Sequence, residues 1–141
     1  MTDEPRRRTP LHQPLSALIL AGIAGAAWAA WLGWDQHRDI GADGTETGPY
    51  EAWQVLGLVV TLLIPVVWAA SRDYVPGAVI GTTAGLTIAA YIDWSDDASG
   101  LFGIGVLLLM LGSLAATTVV STVVRAAASG RGGSPSNHVT A

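Results

Sequence analysis

Four long stretches of this chain carry no charge in their interiors, and that property leaves few folds open. They fall at about 15–34, 52–71, 76–93 and 101–124, with Asp93 at the very end of the third. At about 1.5 Å per residue, a helix of about 20 residues is roughly 30 Å long, the thickness of a bilayer's hydrocarbon core. Inside lipid every backbone N–H and C=O must be satisfied within the chain, and a helix does this alone. The sequence therefore predicts an all-α fold, an integral membrane four-helix antiparallel bundle over 15–125. Polar tails at 1–14 and 126–141 are expected to be disordered and cytoplasmic. Composition agrees: of 141 residues, 50% are hydrophobic and only 13% charged, too apolar for an ordinary soluble domain.

The first apolar stretch has a rival reading. Arginines 6–8 followed by an apolar run also open a secretory signal, but signal cores run about 7–15 residues and this one is longer. An uncleaved first span is expected. In the third stretch Gly77, Gly81, Gly85 and Ala89 recur every four residues behind Pro76, which suits the first turn of a helix. Small residues at that spacing let a second helix approach closely and gain van der Waals contact. The first span has its own small-residue series, Ala17, Ala21, Gly25, Ala29 and Gly33. Residues four apart drift around a helix of about 3.6 residues per turn, so a crossed neighbour suits such a stripe best. Helix packing is accordingly assigned to Gly77, Gly81, Gly85, Ala89 and Gly25.

Short connections fix neighbours. The turn at 72–75 makes the second and third spans adjacent and antiparallel, and 94–100 does the same for the third and fourth. Pro65 lies inside the second span and is expected to kink it. Positive charge then sets orientation: Arg6, Arg7, Arg8, Arg72, Arg125 and Arg131 fall on one side and Arg38 on the other. Arginine is retained on the cytoplasmic side, so both termini are expected in the cytoplasm of a plasma (inner) membrane. Tryptophan fits this frame, with Trp34, Trp53, Trp68 and Trp94 near span ends, where indole anchors at the lipid–water interface. Trp28 and Trp31 lie deeper and are expected to pack.

Chemistry is sparse. Cysteine is absent, which excludes thiol catalysis and disulfides. No ionisable residue lies inside a span, which argues against a proton-coupled pump. Hydroxyls in the spans (Thr61, Thr82, Thr83, Thr87, Ser113, Thr117, Thr118) are expected to bond to their own helix backbone, though they could line a path. Asp35, Glu51, Asp93, Asp96 and Asp97 form an acidic outer rim that should attract cations. Residues 93–99 place oxygens with the spacing of a calcium loop. Ala98 replaces its glycine and Ile104 its bidentate glutamate, so a solvated turn is the better reading. Asp35, His37 and Asp39 alternate without a second histidine nearby and are read as solvated too. No nucleophile elbow, phosphate loop or basic aromatic stripe is present, so no enzyme, cofactor or nucleic-acid partner is expected.

The segment Gly48-Pro49-Tyr50-Glu51-Ala52-Trp53-Gln54 leads into the second span, and an acidic turn precedes the fourth. In both respects the chain resembles a group of small four-span membrane proteins of actinobacteria. That resemblance implies a lineage and a fold, and no site residues. The expected role is a non-enzymatic interaction, accessory or scaffold protein. Its partners would be the lipid bilayer and either another membrane protein or further copies of itself. The alternative is a small oligomeric channel or carrier for a cation or small solute.

Overall fold

The computed structural model describes residues 11–35, 40–45 and 50–133. Both tails, apart from 11–14 and 126–133, and residues 36–39 and 46–49 of the first connection lie outside the described residues. Four helices follow in order: α1 His12–Trp31, α2 Ala52–Ser71, α3 Val75–Trp94 and α4 Phe102–Gly130. Each is long and apolar enough to cross a membrane.

The ends of the helices have local causes. α1 begins before the expected residue 15, because Pro14 falls in its first turn, where a missing N–H costs nothing. It closes early as well: the amides of Leu32 and Gly33 both return to the Trp28 carbonyl, at 2.8 and 3.1 Å. α2 starts with a capping box. The Glu51 carboxylate accepts the Gln54 amide, and Gln54 Oε1 accepts the Glu51 N–H at 2.7 Å. It continues through Pro65 and ends in a Schellman turn, in which Asp73 takes a left-handed φ of 64°. There the Tyr74 and Asp73 amides return to the carbonyls of Ala69 and Ala70. Pro76 sits in the first turn of α3. α4 runs on to Gly130, so residues 126–130, expected in the tail, are helix. Ala126–Ala128 favour the helix, and no breaker intervenes before the glycines that follow.

The bundle is up-down-up-down, but its four helices are not equivalent. α1 and α3, which run parallel, share the most extensive contact, and α1 does not approach α4 at all. α3 touches every other helix and is the most enclosed; α4 is the most exposed. The reason is side-chain size. A Cβ built on Gly77 would lie 2.1 Å from Ser16 Oγ. On Gly81 it would lie 2.3 Å from the Ala17 carbonyl oxygen, and on Gly85 2.4 Å from that of Ala21. At Gly81 and Gly85 no side chain larger than hydrogen fits without moving the α1 backbone, whereas at Gly77 the atom in the way is the Ser16 hydroxyl.

The stripe is not met along its whole length. Gly25, expected to pack, has no neighbour within 4 Å of its Cβ position, and Ala24 faces Gly85 instead. After Ala21 the contact therefore steps by three residues rather than four, as a period of about 3.6 requires. Ala89 is only half-buried, while its neighbour Ala90 is fully buried. Beyond this point the helices part, and a groove of about 380 Å³ opens between Gly25, Ala29 and Gly33 on one side and Gly85 and Ala89 on the other.

The polarity of the surface is the reverse of a soluble protein's. Leu18, Ile64, Ile80, Ile92, Leu108 and Val119 are all more than half exposed, while the fully buried side chains include Gln54, Thr82 and Ser121. Large aliphatics outside and small or polar groups inside is the arrangement expected when lipid is the solvent.

Candidate functional site

The polar side chains that join different helices collect at one end of the bundle, where α1 ends, α2 begins and α3 ends. Its centre is the Asp93 carboxylate. Trp28 Nε1 donates to Asp93 Oδ2 at 3.2 Å, and the Tyr50 hydroxyl donates to the same oxygen. Trp94 Nε1 donates in turn to the Tyr50 oxygen at 2.9 Å. The three rings pack on one another: Trp28 meets Trp94 edge-on at 5.7 Å between centroids and Tyr50 at 6.1 Å. Edge-to-face contacts of this kind add to the area the rings bury. Trp28 is 4% exposed, so its N–H has to find a partner inside the protein.

A second link lies beside the first. Gln54 is fully buried, and its Nε2 donates to Asp35 Oδ2 at 3.0 Å. Since Gln54 Oε1 caps the start of α2, one side chain both starts that helix and ties it to the end of α1. One turn deeper, Trp31 Nε1 donates at 3.1 Å to Thr61, whose hydroxyl donates to the Gly57 carbonyl. The Trp31 ring covers Gly57, where a Cβ would lie 2.5 Å from it.

Below the aromatic cluster, α2 and α4 separate. A cleft of about 490 Å³ runs between them, floored by Thr82 and Leu86 of α3. Trp28, Tyr50 and Trp94 form its end wall, and its sides are almost wholly apolar. α4 contributes Leu108, Gly112 and Ala116, small or slender residues that leave the seam unfilled. Neither a protein-family model, nor a curated protein, nor a solved structure matches this chain.

Sequence expectations meet this geometry unevenly. Gly77, Gly81 and Gly85 do join two helices. Trp34, Trp53 and Trp68 are exposed at helix ends, with the Arg72 guanidinium 4.9 Å from the Trp68 ring. Trp94 is half-buried in the cluster and lies over Gly105 of α4. Asp93 and Asp35 are bound by side chains of other helices, whereas Glu51 and Asp96 are exposed. Asp97 accepts the Ser99 amide at 3.0 Å and the Ser99 hydroxyl at 2.8 Å. The calcium-loop oxygens are thus spent on a local turn, and among the described residues no three acidic or histidine side chains converge. The hydroxyls of Thr61, Thr87, Ser113, Thr117 and Thr118 bond to carbonyls of their own helices, and those of Thr83 and Ser121 have no partner.

Burial, then the hydrogen bond to Asp93, pushes the Tyr50 hydroxyl well above its ordinary value near 10. A phenol whose pKa is raised by folding keeps its proton after the unfolded chain has lost it. The unfolded state then binds fewer protons, and stability falls as pH rises above about 10. Unfolding titrations at pH 9 and pH 11 are expected to show wild type losing more stability than Tyr50→Phe. Equal losses would mean that Tyr50 ionises as freely in the fold as out of it.

Proposed function

We propose that this chain is a multi-pass membrane protein that acts by association within the bilayer, as an accessory or scaffold protein rather than an enzyme. The observation that carries this reading is how the interior polar groups are used. Those of the aromatic end bind one another, and most hydroxyls of the spans bind their own backbone, so no reactive constellation is left among the described residues. What remains for interaction is surface, above all the long and little-covered α4. Arg72 and Arg125 lie at the opposite end from Asp35, Glu51, Asp93 and Asp96, which supports cytoplasmic termini in a plasma membrane.

Native mass spectrometry of the protein extracted with its own lipids tests this. A second polypeptide at fixed ratio, or a defined homo-oligomer, is the expected result. A lone monomer at every extraction condition would count against it. The second reading, a small oligomeric cation channel or carrier, draws on the negative mouth and on the unpartnered hydroxyls of Thr83 and Ser121. It predicts cation flux in liposomes above background.

A further inference from the structure

We infer that the cleft between α2 and α4 is a binding site for a single-chain lipophilic cation, with the alkyl chain in the cleft and the cationic head against the aromatic end wall. The inference goes beyond an accessory role and holds whether or not a protein partner exists. Size comes first. At about 490 Å³ the cleft lies in the range of small-molecule sites, roughly 300–1,000 Å³. Its lining on α2 extends from Val55 to Val66, about 16 Å of helix. That shape takes one extended chain, and its apolar walls take nothing polar along their length.

The end wall selects the head. Trp28, Tyr50 and Trp94 present ring surface to the cleft, and aromatic faces attract cations, quaternary ammonium above all. One hydrogen bond behind Trp28 and Tyr50 lies the Asp93 carboxylate, and the charge of Asp35, held by Gln54, also acts on Tyr50. Among the described residues every arginine belongs to the opposite half of the molecule: Arg72 and Arg125 in the α2–α3 turn and the last part of α4, and Arg131 just past it. In the sequence of this end Arg38 is outnumbered by Asp35, Asp43, Glu51, Asp93, Asp96 and Asp97, so an anionic head would meet net negative charge, and a neutral head would gain nothing from it. Low surrounding dielectric and little screening make that preference larger than it would be at a water-exposed surface.

The test is native mass spectrometry of the full chain in a neutral detergent. Tetradecyltrimethylammonium, tetradecyl sulfate and tetradecyl maltoside serve as probes of equal chain length. A saturable one-to-one adduct is expected with the ammonium probe, at about tenfold lower concentration than with either of the others. Gly112 lines the cleft and has nothing within 4 Å of its Cβ position, so Gly112→Leu enters the cleft without a clash at its Cβ. That variant should keep the wild-type unfolding midpoint and lose the adduct. Asp93→Asn should bring the ammonium probe several-fold closer to the sulfate. Equal binding of the three probes would overturn the cationic preference, and adducts unaffected by Gly112→Leu would overturn the cleft as their site. Either result leaves the polypeptide partner expected above untouched, so the two readings fail separately.

Discussion

Gly81→Leu is expected to break the seam between α1 and α3 and to destabilise the bundle more than any other single glycine substitution. The Cβ alone would lie 2.3 Å from the Ala17 carbonyl oxygen and 2.9 Å from the Ala17 Cα. Both are backbone atoms, so no rotamer change relieves the clash; one helix must move away from the other. Overpacking in a well-packed core costs about 1–3 kcal/mol. Here the displaced element is a whole helix in the most extensive contact of the bundle, so at least about 3 kcal/mol is expected. Gly81→Ala should already be harmful, and Gly85→Ala nearly as much, with Ala21 O at 2.4 Å and Ala24 Cβ at 2.8 Å. Gly22→Ala and Gly25→Ala provide the contrast: neither has a neighbour within 4 Å, and alanine favours the helix more than glycine does. Denaturation by sodium dodecyl sulfate in mixed micelles, followed by tryptophan emission, measures all five. Equal effects at Gly81 and Gly25 would show that helix propensity, not close approach, governs these glycines.

That contrast also marks how far the sequence can be read. Four spans, their alternation and a close-packing role for Gly77 to Gly85 follow from charge-free length, short turns and residue size. Which helix meets the stripe does not. A short turn makes α2 the neighbour of α3 in the chain, yet the closest neighbour is α1, which runs parallel to α3 and joins it across the intervening helix. Small residues on both helices were visible, but residues spaced by four say only that a partner exists. Gly25 shows the limit within one helix. A repeat of four keeps pace with the contact for about two turns and then leaves it, and Ala24 takes over.

The site was less legible for a different reason. Trp28, Tyr50 and Trp94 come from three separate parts of the chain, and each has an adequate local explanation as an anchor or a core residue. Only the fold shows that Trp28 and Tyr50 donate to one carboxylate and that Trp94 donates to the Tyr50 oxygen. Two signals were present. Gln54 is an amide inside an apolar run, placed where a capping box needs it. Asp93 is a carboxylate inside the last turn of a span rather than beyond it. A polar group at membrane depth has to be paired, and the nearest available donors in a chain like this are indole N–H groups and phenols. The cleft left no signal, because it is a gap between residues that are individually ordinary.

Asp93→Ala should be the most damaging substitution at the aromatic end, and Asp93→Asn much less so. Removing the carboxylate leaves the Trp28 N–H and the Tyr50 hydroxyl without their acceptor. A buried donor left unpaired costs about 1–3 kcal/mol, and hydrogen bonds to a charged group are worth about 1.5–3 kcal/mol. A loss of about 3 kcal/mol is therefore expected for alanine. Asparagine retains an oxygen at the same place and should lose about 1 kcal/mol. Tyr50→Phe removes one donor to Asp93 and the acceptor of Trp94 together. Because Tyr50 and Asp93 share one hydrogen bond, their effects should not add. The double variant Tyr50→Phe/Asp93→Asn is expected to fall short of the sum of the single losses by about 0.5–1 kcal/mol. A Tyr50→Phe/Gly22→Ala pair, which shares no partner, should be additive. The same variants carry an optical signature, since Trp28 and Trp94 lose fixed partners and their emission should shift. Full additivity of Tyr50→Phe and Asp93→Asn, with unchanged emission, would mean that the cluster is held by ring packing and that the carboxylate contributes nothing to it.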